Sequence, residues 1–314
     1  MNDLILQSLQ VGQSVGASIL VLFVLIAIGF IFAKLGIITP DGTKQMTEVL
    51  LRAVVPCVII NAYQREFDVT LLRNLGLALL FSVLIHFIAI LVVPLFFKPT
   101  EDNRHKVSIF SVIYSNAGFI ALPLVQSVYG QEGVFYAVAY LTVFNILYWT
   151  HGVYVYTGDI KQLAFKKAFL TPGVLGTLIG LILFLCGIKL PGTAERTVSF
   201  LASLNTPLPM IIIGTYLVSL DIKKVIKNKK MWFVCFLRLI AFPVVAMILA
   251  TVMGLPDNIK LPLIMSSACP VAVVTTLLAT RYGLDSGYAS EAVSMTNILS
   301  IITIPLMMIM AVLI

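Results

Sequence analysis

The sequence predicts an all-α polytopic membrane protein whose ten transmembrane helices form two inverted repeats of five. Three observations predict this fold class: the composition, the number of long apolar stretches, and an internal repeat. The chain has 314 residues, of which 60% are hydrophobic and 11% are charged, and its mean hydropathy is +1.03. Soluble domains are about half apolar and a quarter charged, so a lipid bilayer is the expected environment.

The apolar stretches give the number of helices, because a transmembrane helix needs about 20 mostly apolar residues. Little sequence remains between them, so no separate soluble domain is expected. No Lys or Arg precedes Lys34, so the first stretch lacks the basic start of a signal peptide and is expected to stay in the mature protein. The ten stretches, numbered here as segments 1 to 10, are 15–35, 44–62, 71–97, 106–129, 132–156, 170–188, 196–219, 231–253, 258–281 and 286–313.

The distribution of basic residues predicts the orientation, since cytoplasmic loops carry an excess of Lys and Arg. Most of the 21 Lys and Arg residues lie in connections that follow odd-numbered segments, among them Lys166, Lys167, Lys223, Lys224 and Lys227. We therefore expect a multi-pass protein of the cell membrane with both termini outside the cytoplasm. The same bias explains the net charge of +7, so no nucleic-acid partner is expected.

The four cysteines give no sign of a metal site or cofactor. Cys57, Cys186, Cys235 and Cys269 lie in apolar stretches without the spacing of metal ligands. Their expected role is that of small packing residues, and neither a metal nor a cofactor is predicted.

An internal repeat relates the two halves at a nearly constant offset in sequence number. Each unit contains five segments, an odd number, so the second unit must enter the membrane from the opposite side. Such units are related by a pseudo-two-fold axis in the membrane plane. The matches are Gly36 to Pro40 with Gly187 to Pro191, Pro56 with Pro207, Asn116-Ala117 with Ser267-Ala268, Tyr129-Gly130 with Tyr282-Gly283, and Asn145 with Asn297. Of these, Pro56 and Pro207 also predict kinks in segments 2 and 7.

Segments 4 and 9 are each interrupted near the middle by polar residues, Gly or Pro. A helix broken in hydrocarbon leaves costly unsatisfied backbone groups unless the break is buried in protein or lines a cavity. Paired breaks are typical of substrate sites in secondary transporters, where the N-terminal ends of half-helices favour anions. The alternative is two kinked helices that pack closely through small residues. The candidate binding residues are Ser115, Asn116, Gly118, Pro123, Ser266, Ser267, Pro270 and Thr275.

The residues from Asn116 to Gly130 resemble the fourth-helix signature of the auxin efflux carrier family, and those from Ala268 to Pro270 resemble its ninth helix. The resemblance covers nearly the whole chain, although Ser267 stands where some members carry Asn. It implies a fold like that of bile-acid and sodium/proton transporters, with helices 4 and 9 crossing. It also implies scaffold helices in 1–69 and 158–222 and a transport domain in 70–157 and 223–314. The implied substrates are organic anions such as auxin, malate and malonate.

Ionisable residues inside the membrane are candidates for coupling or gating. Glu291 and His86 are candidates for proton coupling; the alternatives are a carboxylate near the cytoplasmic interface and a structural histidine. Arg52 and Arg238 are candidates for a gate or a substrate counter-ion. The alternative for both is a side chain that extends to the membrane surface, with Glu48 as the partner of Arg52. Neither break contains an acidic residue, so no dedicated sodium site is expected.

The function predicted is a secondary carrier that moves small organic anions by an elevator-like or rocking movement. A passive channel or a sensory membrane module is the alternative. An intramembrane enzyme is less expected, because the sequence lacks His-Glu-x-x-His, paired intramembrane Asp and a phosphate loop. Gly173, Gly176 and Gly180 predict close helix packing within one chain, with a homodimer through the scaffold helices as the alternative.

Overall fold

The computed structural model describes residues 2–163, 168–218 and 228–314. Lys166, Lys167, Lys223, Lys224 and Lys227, which contribute to the predicted orientation, lie outside the described residues. The helices of the first half are α1 (Asn2–Lys34), α2 (Pro40–Val49), α3 (Val55–Ala62), α4 (Val69–Val92), α5 (Arg104–Ile113), α6 (Leu122–Leu147) and α7 (Val153–Thr157). Those of the second half are α8 (Pro172–Leu185), α9 (Gly192–Ser203), α10 (Pro207–Leu217), α11 (Lys229–Phe236), α12 (Phe242–Val252), α13 (Asp257–Ala268), α14 (Val274–Arg281) and α15 (Ser286–Leu313).

The helices follow the predicted segments closely, except that α6 continues across the boundary between segments 4 and 5 and that α1 already begins at Asn2. The part of α1 that is apolar enough to cross a membrane, Val15–Lys34, agrees with segment 1 at 15–35. The added residues include several polar side chains, which lower the hydropathy without opposing a helix. Leu and Gln, both frequent there, are good helix formers.

The fold is that of a polytopic membrane protein. In the described parts of the chain, seven helices are long and apolar enough to cross a membrane, and Pro172–Leu185 is a shorter apolar helix. This number is smaller than ten partly because three of the helices that flank the breaks, α5, α13 and α14, are short. In addition, residues 117–157 form one nearly continuous helical stretch, although the backbone at Gly130 leaves the helical conformation (φ 63°, ψ −158°). Ten spans therefore remain a prediction.

Positive φ angles recur at matching places in the two halves. Glycine adopts this conformation readily, and asparagine does so more often than most other residues. Because a local backbone conformation does not follow from hydrophobic composition, the matching turns support the internal repeat. The pairs, which share nearly the same offset in sequence number, are Gly36 (74°) with Gly187 (64°), Asn103 (55°) with Gly254 (62°), and Gly130 (63°) with Gly283 (69°).

Three widened helical turns each precede a proline by two residues. The π turns Leu50–Val54, Ala117–Ala121 and Leu237–Ala241 come before Pro56, Pro123 and Pro243. Proline has no N–H to donate to the carbonyl four residues earlier. The preceding turn therefore widens, and its hydrogen bonds join residues that are five apart. The helix of segment 7 instead separates into α9 and α10 just before Pro207.

Helix packing follows two sets of contacts. Helix α1 packs against α10, and α3 packs against α8 and α9. Helix α6 packs against α4 and α13, while α15 contacts α13 and α14 and also α1. The predicted division into scaffold and transport domain stays a prediction.

The glycines of α8 contact the same chain. A Cβ atom at Gly176 would lie 2.9 Å from the Pro56 Cα atom, and one at Gly180 would lie 2.8 Å from the Tyr63 ring. One at Gly173 would lie 3.0 Å from an amide side chain of segment 5. These positions serve close packing within one chain, and the homodimer remains an untested alternative.

Candidate functional site

The two interrupted segments cross at a short antiparallel bridge between their breaks. Two main-chain hydrogen bonds join them, so unpaired backbone groups of each break are satisfied by the other. The bridge consists of Ser115 opposite Val271, a hydrogen bond from the Asn116 N–H to the Pro270 carbonyl (2.7 Å), and one from the Ala272 N–H to the Tyr114 carbonyl (3.1 Å). We call these paired residues the crossing.

The crossing corrects the predicted register between the repeats. Exchanging the two halves in these reciprocal hydrogen bonds relates Asn116 to Ala272. The sequence match had related Asn116 to Ser267, which comes before Pro270 in the chain, and this equivalence is wrong. It rested on two short dipeptides of small residues, which are common wherever membrane helices pack closely.

Asn116 caps the helix that follows the first break. Its Oδ1 atom accepts a hydrogen bond from the Phe119 N–H (3.2 Å), as an N-cap side chain does. The residue is 3% exposed, and its Nδ2 atom is buried without a hydrogen-bond partner among the described residues. One strong donor is thus left over at the N-terminal end of a half-helix.

The hydroxyl groups of the two breaks differ in availability. Those of Ser267 and Thr275 are buried without a hydrogen bond of normal geometry among the described residues, and that of Ser267 lies near the Tyr140 hydroxyl. Ser115 donates to the Tyr140 hydroxyl (3.2 Å). Ser266 donates to a carbonyl one turn earlier in its own helix (2.8 Å), so its hydrogen-bonding capacity is already used.

The two prolines shape the breaks, whereas Gly118 meets no packing requirement for glycine. A Cβ atom at Gly118 would make only an ordinary contact with Leu141, at 3.6 Å, so packing does not demand glycine there. Pro123 lies in the first turn of α6, where its missing N–H costs little. Pro270 follows the end of α13 and offers its carbonyl to the crossing.

Helix ends of both signs meet around the crossing. The π turn that leads into α6 begins at Ala117, and α14 begins at Val274. First-turn N–H groups have no partner within their own helix and favour an anion. On the other side, α5 ends at Ile113 and α13 ends at Ala268, which exposes carbonyl groups that favour a cation.

Arg238 lies at those carbonyl ends. Its side chain is buried, with 1% of the residue exposed. Its Nη1 atom donates to the carbonyls of Val112 (2.8 Å) and Ile113 (3.4 Å), and its Nη2 atom donates to the carbonyl of Ser267. Arg238 therefore contacts both broken segments. The alternative that its side chain extends to the membrane surface is wrong.

Comparison with known proteins identifies the family. A family model described as "Membrane transport protein" matches residues 14–158 and 155–308. The chain belongs to this family of transporters, which is of the auxin efflux carrier type. An uncharacterised transporter of Methanothermobacter thermautotrophicus is 22% identical over 293 residues, covering 92% of this chain and 96% of the relative. One from Methanocaldococcus jannaschii is 23% identical over 303 residues, with the same coverage.

The transporter places His86 beside the crossing. Its ring lies 4.7 Å from the Tyr140 ring between centroids, and its Nδ1 atom is 2.7 Å from the Ser82 carbonyl oxygen. Arg238 is close enough to act on it electrostatically. His86 and Arg238 are separated in sequence number by nearly the same offset as the matching turns.

Glu291 lies away from the crossing, among charged residues at the start of α15. It interacts electrostatically with Arg104, which forms an ion pair with Asp285 (2.8 Å) and stacks over the Tyr288 ring at 5.3 Å. The hydrogen bond from Arg104 to Asp285 raises the pKa of Arg104 above its usual value. No local pattern around Glu291 indicated this arginine, because it comes from a different part of the chain.

Arg52 occupies an exposed position outside the buried crossing. Its Nε atom lies 2.5 Å from a carboxylate oxygen of Glu48, the predicted partner, and its side chain is 75% exposed. The structure thus brings Arg238 and His86 to the binding candidates but neither Arg52 nor Glu291.

Two residues of the site were missed by sequence reasoning. The Tyr140 hydroxyl accepts from Ser115, and the Thr296 hydroxyl accepts from the Val271 N–H (3.1 Å). Thr296 lies next to Asn297, one of the matched positions of the repeat, and this polar run in segment 10 was the available signal. Tyr140 lies in an apolar run without a comparable signal. Within the described ranges, no group of three or more His, Cys, Asp or Glu residues could hold a metal ion.

Proposed function

We propose that this transporter is a secondary carrier of small organic anions that works by alternating access around the crossing. The observation that carries the proposal is the bridge between the two breaks, which brings two half-helix N-termini together. Both termini favour an anion. The buried groups of Asn116, Ser267 and Thr275 that lack a hydrogen bond of normal geometry supply neutral donors at the same place. A carboxylate could be held there without a basic side chain, as in other carriers with broken helices.

We take the ten segments as ten spans in two inverted units, and contacts between the halves support this. Arg104 pairs with Asp285 (2.8 Å), and Asn258 donates to Glu132 (2.9 Å). The offset in sequence number from Glu132 to Asp285 nearly equals that from Arg104 to Asn258. Each contact is therefore the other with the halves exchanged, as a two-fold relation requires.

The movement we propose is an elevator-like displacement of 70–157 and 223–314 against 1–69 and 158–222. The packing of α1 on α10 and of α3 on α8 and α9 supports the second set as one unit. The packing of α6 on α4 and α13, and of α15 on α13 and α14, supports the first. Helix α1 against α15 then forms much of the sliding surface.

The direct test is transport by the purified protein in sealed vesicles. We expect saturable uptake of radiolabelled malate, malonate or indole-acetate, and accelerated uptake when the vesicles are preloaded with the same anion. Asn116→Ala should raise KM, since a hydrogen bond to a charged group contributes about 1.5–3 kcal/mol, or roughly 10- to 100-fold. Asn258→Ala, an exposed asparagine outside the crossing, is the matched control.

Two outcomes would contradict the proposal. Flux that rises linearly with concentration and shows no preloading effect would favour the passive channel. Absence of flux for every anion, together with an unchanged thermal shift on adding each anion to wild type and to Asn116→Ala, would exclude an anion site at the crossing.

A further inference from the structure

Arg238 is a buried charge without a carboxylate partner in the part of the chain that the structure describes. It donates hydrogen bonds to main-chain carbonyls and interacts with the neutral Tyr140 hydroxyl. None of the ion pairs between described residues involves it. An isolated charge in an apolar interior is strongly unfavourable unless hydrogen bonds and opposite charge compensate it. Something around Arg238 must therefore carry negative charge.

The compensation comes from two helix ends. Val112 is the next-to-last residue of α5 and Ser267 is the next-to-last residue of α13. Each helix C-terminus is equivalent to roughly −0.5 elementary charge, so the two together approximate the +1 of one guanidinium. The planar fork of arginine also lets separate nitrogen atoms reach carbonyls on two different helices.

Helix C-termini at a break are where other carriers bind a coupling cation. In such carriers, the carbonyl groups of unwound backbone and the C-terminal ends of half-helices coordinate the coupling sodium ion or proton. Here the guanidinium of Arg238 already occupies this position, and a second cation would be repelled by it. Arginine stays protonated throughout the physiological range, so its charge is present in every step of a transport cycle.

We propose that Arg238 is the resident cation of the crossing. It joins the carbonyl ends of α5 and α13, and it takes the place of a sodium ion or an added proton there. The role of Arg238 in transport rests on the proposed function. Its role in stabilising the crossing does not depend on that function.

Arg238 acts mainly through the crossing. Both of its Nη atoms donate to carbonyls of the two helix ends, whereas its Nε atom is buried without a hydrogen-bond partner among the described residues. We therefore describe it as a positioning residue, whose charge keeps two helix ends together while the opposite ends face the anion.

A charge series tests this role on the folded protein without substrate. We expect the Tm to fall in the order wild type, Arg238→Lys, Arg238→Gln, with Gln at least roughly 5 °C below wild type. Glutamine is shorter than arginine and lysine; it keeps an amide donor but removes the charge. A Gln variant as stable as the Lys variant would overturn the proposal, since hydrogen bonding alone would then hold the crossing.

Chemical rescue provides a second measurement, because a small guanidinium that restores the missing charge should bind the folded variant and stabilise it. In Arg238→Ala, methylguanidinium at concentrations far below denaturing ones should raise the Tm, while an equal concentration of choline should not. Arg52→Ala, which removes an exposed arginine, should show no rescue. Equal responses of the two variants would contradict the proposal. If Arg238→Ala does not fold, the charge series above decides.

The sodium dependence completes the test. Replacing choline by sodium should leave the Tm of the wild-type protein unchanged, and anion flux should not respond to a sodium gradient. A sodium-dependent rise in the Tm of wild type would overturn the resident-cation proposal but leave the carrier proposal intact. If no anion flux is found but the Tm values follow the expected order, the carrier proposal is contradicted and the resident-cation proposal is kept.

Discussion

Individual residues at the crossing differ in function because their hydrogen-bond partners differ. Ser266 and Ser267 are neighbours in the sequence and were equal candidates for the binding site. The hydroxyl of Ser266 donates to a carbonyl of its own helix (2.8 Å), whereas that of Ser267 is buried without a hydrogen bond of normal geometry among the described residues. A buried unsatisfied hydroxyl is unfavourable in the empty protein and is therefore available to a ligand.

Alanine substitution should separate these two serines. We expect Ser266→Ala to leave the KM for the transported anion within about twofold. Ser267→Ala should raise KM by roughly tenfold, because it removes a donor worth about 1.5 kcal/mol to a charged ligand. The Tm of Ser267→Ala should change little, since the hydroxyl makes no hydrogen bond of normal geometry in the empty protein. Equal KM values for both variants would argue against Ser267 as a binding residue.

The partners of the site residues were out of reach of sequence reasoning. Apart from the corrected register, the breaks themselves were predictable, because Asn116 and Pro270 interrupt apolar stretches. Their contacts were not, because Arg238, Tyr140 and Thr296 meet the breaks from distant parts of the chain. Such contacts depend on how helices pack, and a single sequence carries no record of that packing.

Helices as elements were predicted more successfully than their distortions. Segment ends agree with helix ends to within a few residues for most of the chain, since apolar length determines both. The π turns were not foreseen, although each of three precedes a proline by two residues. One of them, Leu237–Ala241, contains Arg238, and such turns often occur at functional sites.

Close contact between α1 and α10 gives a prediction at the scale of these elements. A Cβ atom at Gly214 would overlap the Ile26 carbonyl oxygen, and one at Gly29 would overlap that of Ile211. Both would meet backbone, which cannot rotate away. Gly214→Ala should therefore destabilise the protein by about 1–3 kcal/mol, seen as a lower Tm. Gly76→Ala, in a helix with no atom within 4 Å of the added Cβ, should be neutral or stabilising by up to about 1 kcal/mol.

Comparing Gly214→Ala with Gly76→Ala separates close helix contact from helix propensity. Both substitutions add one methyl group to a glycine inside a helix, so helix propensity changes equally. A similar Tm for Gly214→Ala and Gly76→Ala would show that α1 and α10 do not approach closely in the folded protein.

At the scale of the whole molecule, the proposed inverted repeat makes a prediction about the two sides of the membrane. The turns at Asn103 and Gly254 share a positive φ angle and are separated by nearly the same offset as the other pairs of turns. They connect equivalent segments, 3 to 4 and 8 to 9. If each repeat contains five spans, an odd number, these two connections must lie on opposite sides of the membrane. The distribution of Lys and Arg predicts the first in the cytoplasm and the second outside.

Cysteine accessibility tests both the inversion and the orientation. With the native cysteines replaced, Glu101→Cys and Pro256→Cys would each place one thiol in an exposed connection. In intact cells, a membrane-impermeant maleimide should label the thiol at 256 and should reach the thiol at 101 only after the membrane is opened. Both should react equally in detergent, which controls for burial. Labelling of both from one side would exclude an odd number of spans per repeat. Labelling with the two sides exchanged would keep the inversion and place both termini in the cytoplasm.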